Sequence, residues 1–347
     1  MAVDSIKICY IASRYRSHQR VAVAYRQLLY KRYGLVPDVS TADIVVLHYE
    51  PHLYGAVYER LPELKRKYVI AYCVWEADEL PDISRRSIEL VQEVWTPSRY
   101  CLNILARYHP NVVHVPHLIE RDTAYSVEDN AIVKKAIDYR ADCFYFLSIT
   151  KTEDRRKNAG CLVEAFQRQS KWMAKARLIV KTLNAGTVRA GTTGSACGSQ
   201  VIYLPVDMTN SQINALYDLS DVYCSAHHSE AWGLTLSDAM LFKKLVIATG
   251  YSGNLEFMDE DNSILLDFTE EYIRAADQQY LFDNRMKWAY PRPVDLERKL
   301  LLSYEGINKA WAAEKCQKAS AASGRFDRLT IDRIIARRID AISNRSN

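Results

Sequence analysis

The chain has 347 residues and a mass of 39.9 kDa, more than one ordinary core holds, so two domains of roughly 100–200 residues each are expected. Lys and Arg number 46 against 42 Asp and Glu, a net charge of +4, too weak to argue for a nucleic-acid partner. An apolar fraction of 48% with 25% charged residues fits a soluble globular protein. The longest strongly apolar run, Tyr68 to Trp75, falls far short of the ~20 residues that span a bilayer.

The opening MAVDSIKICYIA enters a strand almost at once, with no basic lead and no small-residue cleavage site, so no secretory signal is expected. The eight cysteines form no CxxC pair and several stand in apolar strand-like runs. They read as reduced core thiols of a cytoplasmic protein. Strand Ile6 to Ala12 runs into a polar turn (Ser13 to Arg20) and a helix from Val21 to Tyr33 that closes at Gly34. Further strands are expected at Asp43 to Leu47, at Val69 to Val74 and ending at Val94. Thr96, Pro97 and Ser98 then open a helix carrying Leu102, Leu105 and Ala106 on one face. Val112 to Val115 is another strand. The repeated strand–helix order predicts a parallel, doubly wound sheet.

The pattern loosens from Pro116 to Asp142, and FYFLSI (Phe144 to Ile149) begins a second series. Helix Ala159 to Arg168, strands Leu178 to Lys181 and Val201 to Leu204, and helix Ser211 to Leu219 follow. Residues Ala185 to Gln200, small, polar and glycine-rich, read as a mobile loop. Strand Val222 to Ala226, a helix from about Trp232 and strand Leu245 to Thr249 come next. Near the end, Leu329, Ile334, Ile335, Ile339 and Ile342 recur at helical spacing. Two Rossmann-like α/β domains facing a central cleft are expected.

The tandem units from Ser220 to Asp267 place two helix N-termini at one edge of a parallel sheet, where unpaired N–H groups and helix dipoles favour phosphate. A nucleotide diphosphate is the ligand this predicts. Glu230 and Asp238 suit sugar and ribose hydroxyls, or else are a dipole-favoured carboxylate and a solvated Asp. In GYSGNLEFM, Gly250 and Gly253 let main-chain amides approach a ligand, and Asn254 is placed to open the next helix. In KTEDRRKN, Lys151, Arg156 and Lys157 sit at a strand's carboxyl edge, where cations neutralise a developing diphosphate charge. Lys181 is a second cation at that edge, with strand-end snorkelling as its bland alternative. Glu76, in WEADELP, ends a first-domain strand and either orients an acceptor hydroxyl or caps a turn. His48, His114 and His117 lie near first-domain strand ends. No HExxH or Cys/His pattern marks a metal site, and no G-x-G-x-x-G follows the first strand.

Together these residues resemble the retaining GT-B glycosyltransferases of family 4, in particular the bacterial branch that builds surface polysaccharides and lipopolysaccharide. SEAWGLTLSDAM, KLVIATGYSGNLEFM and the later NS are similar to the family's E-x7-E motif and its glycine turn. RRKN with the following LIVKT resembles its phosphate-contacting lysine region, and VWEADELP and EVWTPSRY resemble first-domain landmarks. The chain departs from the pattern at Asp238, where the family usually has Glu, and at Ala231 and His228.

The resemblance implies an acceptor domain at residues 1–135, with a helix at about 326–347 packing back on it, and a donor domain at 136–325. It implies sugar transfer from a nucleotide diphosphate donor, GDP- or UDP-linked, to a hydroxyl of a glycan or lipid-linked glycan, with retention. No cofactor and no metal are expected. Glu230, Lys157 and Glu76 form the catalytic set. Arg156, Lys151, Lys181, Asp238, Gly253, Asn254, Ser252, Gly233 and Leu234 form the donor set, and His117 and His48 orient acceptor or sugar. An epimerase or hydrolase of sugar nucleotides, or a non-catalytic binding subunit, remain the alternatives. RVAVAYRQLLYKRY and ERLPELKRKY suit a weak peripheral contact at the inner membrane face, or a solvated amphipathic helix.

Overall fold

Short runs that are apolar on both faces, such as IVVLH and YVIAY, suit parallel strands covered by helices above and below. The computed structural model describes residues 6–182, 191–194 and 200–346. In it such runs build two sheets, one in each of two units: Met1–Ile119 with Arg325–Asn347, and Glu120–Gly324.

The first unit comprises β1 (Lys7–Ala12), α1 (Arg16–Tyr30), β2 (Gly34–Leu35), β3 (Ile44–His48), α2 (Tyr54–Arg60), β4 (Tyr68–Tyr72), α3 (Asp82–Ile88), β5 (Glu93–Thr96), α4 (Arg99–Leu105) and β6 (Val112–His114). Its strands lie in the order β2-β1-β3-β4-β5-β6, all parallel. Ser98 caps α4, its hydroxyl accepting from Cys101 N at 3.2 Å. Helix α1 buries Val21, Ala22, Tyr25, Leu28 and Leu29, so most of its apolar stripe belongs to the core. Among the described residues no helix is long and apolar enough to cross a membrane.

The second unit begins with α5 (Val127–Ala136), β7 (Phe144–Ile149), α6 (Ala159–Arg168), β8 (Ala176–Lys181), β9 (Gly191–Gly194), β10 (Gln200–Leu204) and α7 (Asn210–Asp218). It continues through β11 (Val222–Ser225), α8 (Leu234–Leu241), β12 (Leu245–Thr249), β13 (Ile264–Leu266), β14 (Phe268–Tyr272), β15 (Lys287–Pro291), α9 (Pro293–Gly306) and α10 (Ala310–Ser323). The main sheet runs β13-β12-β11-β7-β8-β10-β9, parallel except for β9 at its edge. From β7 the chain first moves outward through β8 and β10, then returns to lay β11, β12 and β13 on the other side. The topological switch point therefore falls between β7 and β11. Phe146, Phe166, Leu178, Val222, Ile247 and Leu296 are among the residues of its core.

Three expectations need correction. The domain boundary lies at Ile119/Glu120, not near residue 135, because α5 packs on α7 and so belongs to the second unit. Residues 191–194 of the supposed loop form β9, paired antiparallel with β10, while 185–190 and 195–199 lie outside the described residues. The segment after β13 turns back as the antiparallel pair β14–β15, which the sequence reading did not resolve.

The last helix, α11 (Arg328–Ser346), packs on the first unit. Tyr33 donates to Asp340 at 2.9 Å, and Arg32 pairs with Asp332 at 3.0 Å. The Arg338 guanidinium reaches Glu93, a fully buried carboxylate on β5 that also accepts from Trp95 Nε1 (2.7 Å) and Tyr68 OH (3.1 Å). Removing one partner of a buried pair strands the other's charge, at about 3–5 kcal/mol. Arg338→Ala should therefore destabilise the first unit by roughly that amount in denaturant unfolding. A loss under about 1 kcal/mol, the scale of an exposed pair, would mean that Glu93 is served by its other partners.

Candidate functional site

In an open α/β sheet, ligands bind beyond the carboxyl ends of the strands that flank the switch point. Here those ends lead into Thr150–Asn158 after β7 and Ala226–Gly233 after β11. The first of these loops is held by Asp154, whose carboxylate accepts from Arg156 N at 3.1 Å. Lys157 N returns to Asp154 O at 2.9 Å. Asn158 then takes a left-handed conformation, φ 51°, which Asn tolerates better than most residues. Its side-chain amide donates to Ala226 O at 2.9 Å, tying the first loop to the second.

The two loops are joined by charge as well. Lys157 Nζ donates to Glu230 Oε1, and Arg156 Nη1 lies 3.4 Å from Oε2. Arg156 Nη1 also donates to Ser229 O at 2.6 Å, and Nη2 to Asp154 at 3.3 Å. His228 N donates to Arg156 O at 2.8 Å. Burial alone would raise the Glu230 pKa. Lys157 and Arg156 outweigh it, aided by His227, and bring the carboxyl down to about 2. Burial takes the neighbouring His227 to about 4 despite the pull of Glu230, so that imidazole is neutral at pH 7.

A third loop, after β12, closes on the same carboxylate's backbone. Gly253 N donates to Glu230 O at 2.8 Å, and the Ser252 hydroxyl accepts from Glu230 N at 2.8 Å. Ser252 has φ 75° and ψ −149°, a region nearly reserved for glycine and a local strain of order 1–3 kcal/mol. A Cβ on Gly253 would stand 2.0 Å from Ala231 O, so no larger residue fits. Asn254 does not open a helix: a single 3₁₀ turn, Gly253–Glu256, follows. Fully buried, Asn254 donates to Thr249 O at 3.0 Å and pairs through Oδ1 with His227 Nε2 at 3.2 Å.

The β14–β15 pair braces these loops from outside. His228 stacks on Trp288 (ring centroids 5.6 Å apart, planes within 9°) and bonds Ala289 through both backbone and ring. Gln279 donates to Asp154 at 2.9 Å. Neither α6 nor α8 has a side-chain cap at its N-terminus, because Asn158 is turned to Ala226 and Gly233, at φ 95°, has no side chain. Their first N–H groups and dipoles favour an anion.

The structure thus gathers Lys157, Arg156, Glu230, Ser252, Gly253 and Asn254, with Gly233 and Leu234 at the head of α8. Arg156 and Asn254 act within the scaffold, and Lys157 is the more accessible of the two cations on Glu230. Lys151 is exposed. Lys181 is buried, donating to Thr182 O at 2.7 Å at the end of β8. Asp238 is held by Arg121, at 3.0 Å. The sequence reading missed Arg121 and Gln279, because each acts through a partner distant in the chain, and Asp154, which acts on its neighbour Arg156.

In the first unit, His48 and His117 both meet Tyr72: His117 Nδ1 lies 2.9 Å from its hydroxyl, and the His48 ring packs 4.8 Å from its ring. His18, also missed, stacks on His48 at 4.4 Å. Burial keeps all three imidazoles neutral, His18 at about 4 and His117 at about 3. Glu76 follows β4 near Glu50, whose carboxyl is raised to about 7 by burial and then by the Glu76 charge. Among the described residues no group of His, Cys, Asp or Glu is arranged to hold a metal ion.

Residues 196–285 match the family model described as Glycosyl transferases group 1, a stretch that includes Glu230, Asp238 and the Ser252–Asn254 turn. No curated protein matches the chain in sequence. Among solved structures, Anabaena Alr3699/HepE in complex with UDP and glucose is 12% identical, with a TM-score of 0.64 over 97% of this chain and 100% of that one. A glycosyltransferase from Rickettsia africae ESF-5 is 13% identical, with a TM-score of 0.66 over 95% and 96%. The pneumococcal O-GlcNAc transferase GtfA, in complex with UDP and GlcNAc, is 15% identical, with a TM-score of 0.57 over 86% of this chain and 56% of its own length. This chain therefore spans little more than half of that transferase. The shared architecture is GT-B: two Rossmann-like units with parallel sheets.

Two outcomes follow from the knot of loops. Gly253→Ala drives a methyl into the Ala231 carbonyl and should cost about 1–3 kcal/mol of stability, read by thermal unfolding; an unchanged melting temperature would show that the turn yields freely. Glu230, depressed from 4.5 to about 2, stabilises the fold above the unfolded value and loses that contribution as pH falls between the two. Wild type and Glu230→Gln should therefore converge in stability from pH 4.5 down to about 2, and a constant difference across that window would contradict the pairing.

Proposed function

We propose that this protein transfers a sugar from a nucleotide diphosphate donor, UDP- or GDP-linked, to a hydroxyl of a glycan or lipid-linked glycan, with retention at the anomeric carbon and without a metal. The reading is that of a family 4 enzyme of bacterial surface-polysaccharide or lipopolysaccharide assembly, working in the cytoplasm. The observation that carries it is the Lys157–Glu230 pair at the switch point, between two helix N-termini that no side chain caps.

In this mechanism the diphosphate lies against those N-termini and takes the charge of Lys157, with Lys151 at the rim. Glu230, released from full engagement with Lys157 but still held by Arg156, accepts hydrogen bonds from hydroxyls of the donor sugar, which keep their protons. The bond from the anomeric carbon to the phosphate oxygen breaks, and the bond to the acceptor oxygen forms on the same face. The acceptor's proton passes to the departing phosphate oxygen. Charge grows on the diphosphate as the bond stretches, so a fixed ammonium there stabilises the transition state more than the ground state. Glu76, His48 and His117 are the first-unit groups assigned to acceptor or sugar. On α1, Val23 and Tyr30 remain exposed, and with Arg16 and Lys31 they are the residues of a weak peripheral membrane contact.

Lys157→Ala leaves Arg156 on Glu230 and should fold. With the sugar nucleotide that most raises the wild-type melting temperature among UDP, GDP, ADP and dTDP sugars, its kcat in chelating buffer should fall about 10²–10³-fold. Turnover near the wild-type value, or wild-type turnover abolished by chelator, would overturn the assignment. Rapid consumption of donor without acceptor would point instead to a hydrolase or epimerase.

A further inference from the structure

Nothing in the sequence around it, LIERDTAY, marks Arg121 as functional. In the structure its side chain is 11% exposed and its Nη1 donates at 3.0 Å to Oδ2 of Asp238, itself 2% exposed in α8. The guanidinium is fixed on every side. Nε donates to Asn214 Oδ1 at 2.6 Å and Nη2 to Asn210 O at 3.3 Å, both on α7. Its carbon lies 5.9 Å from the centre of the Tyr217 ring, and the Tyr217 hydroxyl donates to Thr235 O on α8 at 3.0 Å.

The arginine's own backbone is clamped as well. Asn214, 2% exposed, donates to Asp122 O at 2.7 Å and Ala124 O at 2.8 Å. Tyr125 OH donates to Asp218 at 2.5 Å, and Ser126 N to the Ser211 hydroxyl at 3.2 Å. Segment 121–126 is thus strapped along α7, and its leading side chain reaches across to α8. A planar guanidinium held at several points sets the rotamer and the plane of the carboxylate it grips. Lysine supplies the charge without that plane.

Position matters too. Asp238 stands one turn into α8, whose head at Gly233 and Leu234 follows directly on the loop that carries Glu230. The two carboxylates therefore serve one neighbourhood at the switch point. We infer that Arg121 is a positioning residue that presents Asp238 to the ribose hydroxyls of the donor. This rests on the nucleotide reading above.

The test compares binding of UDP and GDP with their 2′- and 3′-deoxy forms, by calorimetry, to wild type, Arg121→Met and Arg121→Lys. A hydrogen bond to a charged group corresponds to roughly ten-fold or more in affinity, so wild type should prefer the ribonucleotide by about that factor. Arg121→Met should abolish the preference, and Arg121→Lys should reduce it several-fold while the melting temperature stays within a few degrees. If Arg121→Met does not fold, the Arg121→Lys ratio decides. A purely structural role would weaken ribo and deoxy forms alike and leave the ratio unchanged, which overturns the inference while leaving the nucleotide reading intact. Failure of wild type to bind any of these nucleotides overturns both.

Discussion

A carboxylate buried where two strands part must be neutralised, and the loops of the second unit answer that need. Glu230 cannot shed its charge cheaply, because Lys157 and Arg156 hold it ionised, and it cannot move, because its backbone is bonded on both sides by the turn at Ser252 and Gly253. Each neighbour inherits a constraint. Gly253 must lack a side chain, Ser252 must accept a strained backbone, and Arg156 must turn inward. In water such a pair would be worth little. Largely buried, it ties three loops to one another, and this preorganisation is the kind that makes charges effective in catalysis.

The first unit solves its own switch point differently. Its sheet reverses between β1 and β3, and the residues at those strand ends are Ser13, His18 and His48, with Tyr72 and His117 beside them. Burial keeps these imidazoles neutral, and the proximity of His18 adds to the effect at His48 and His117. The second unit gathers opposite charges at its crevice, whereas the first gathers uncharged donors and acceptors around a tyrosine hydroxyl. Two similar sheets therefore carry chemically distinct groups at their switch points, an ion pair in one and a histidine–tyrosine cluster in the other.

Much of this is legible in the sequence, for definite reasons. Runs such as FYFLSI and LVIAT are strands in any context, and their alternation with helical periods is enough for two parallel sheets. Lys157 and Glu230 stand out because each lies in a polar segment that follows a strand. Arg121 does not, since a lone charge in a loop has no pattern until its partner is known. Asn254 reads as a helix opener because Asn usually caps; the buried His227 and the Thr249 carbonyl compete for its amide and win. The β14–β15 pair escapes notice because its alternation, half exposed, is interrupted by a long loop. The loosened pattern from Pro116 to Asp142 does not show to which unit α5 belongs; its packing on α7 does.

The return of α11 to the first unit has a consequence for how the molecule is made. Glu93 is interior from the moment β5 joins its sheet, yet the guanidinium that answers it emerges only after all of Glu120–Gly324 has been translated. At ~5–20 residues per second, that interval lasts roughly 10–40 s. Throughout it the interior carboxylate of the leading unit has only Trp95 and Tyr68 as partners, while the trailing unit already has every strand it needs. Nascent chains would therefore complete their second half before their first, inverting the usual vectorial order.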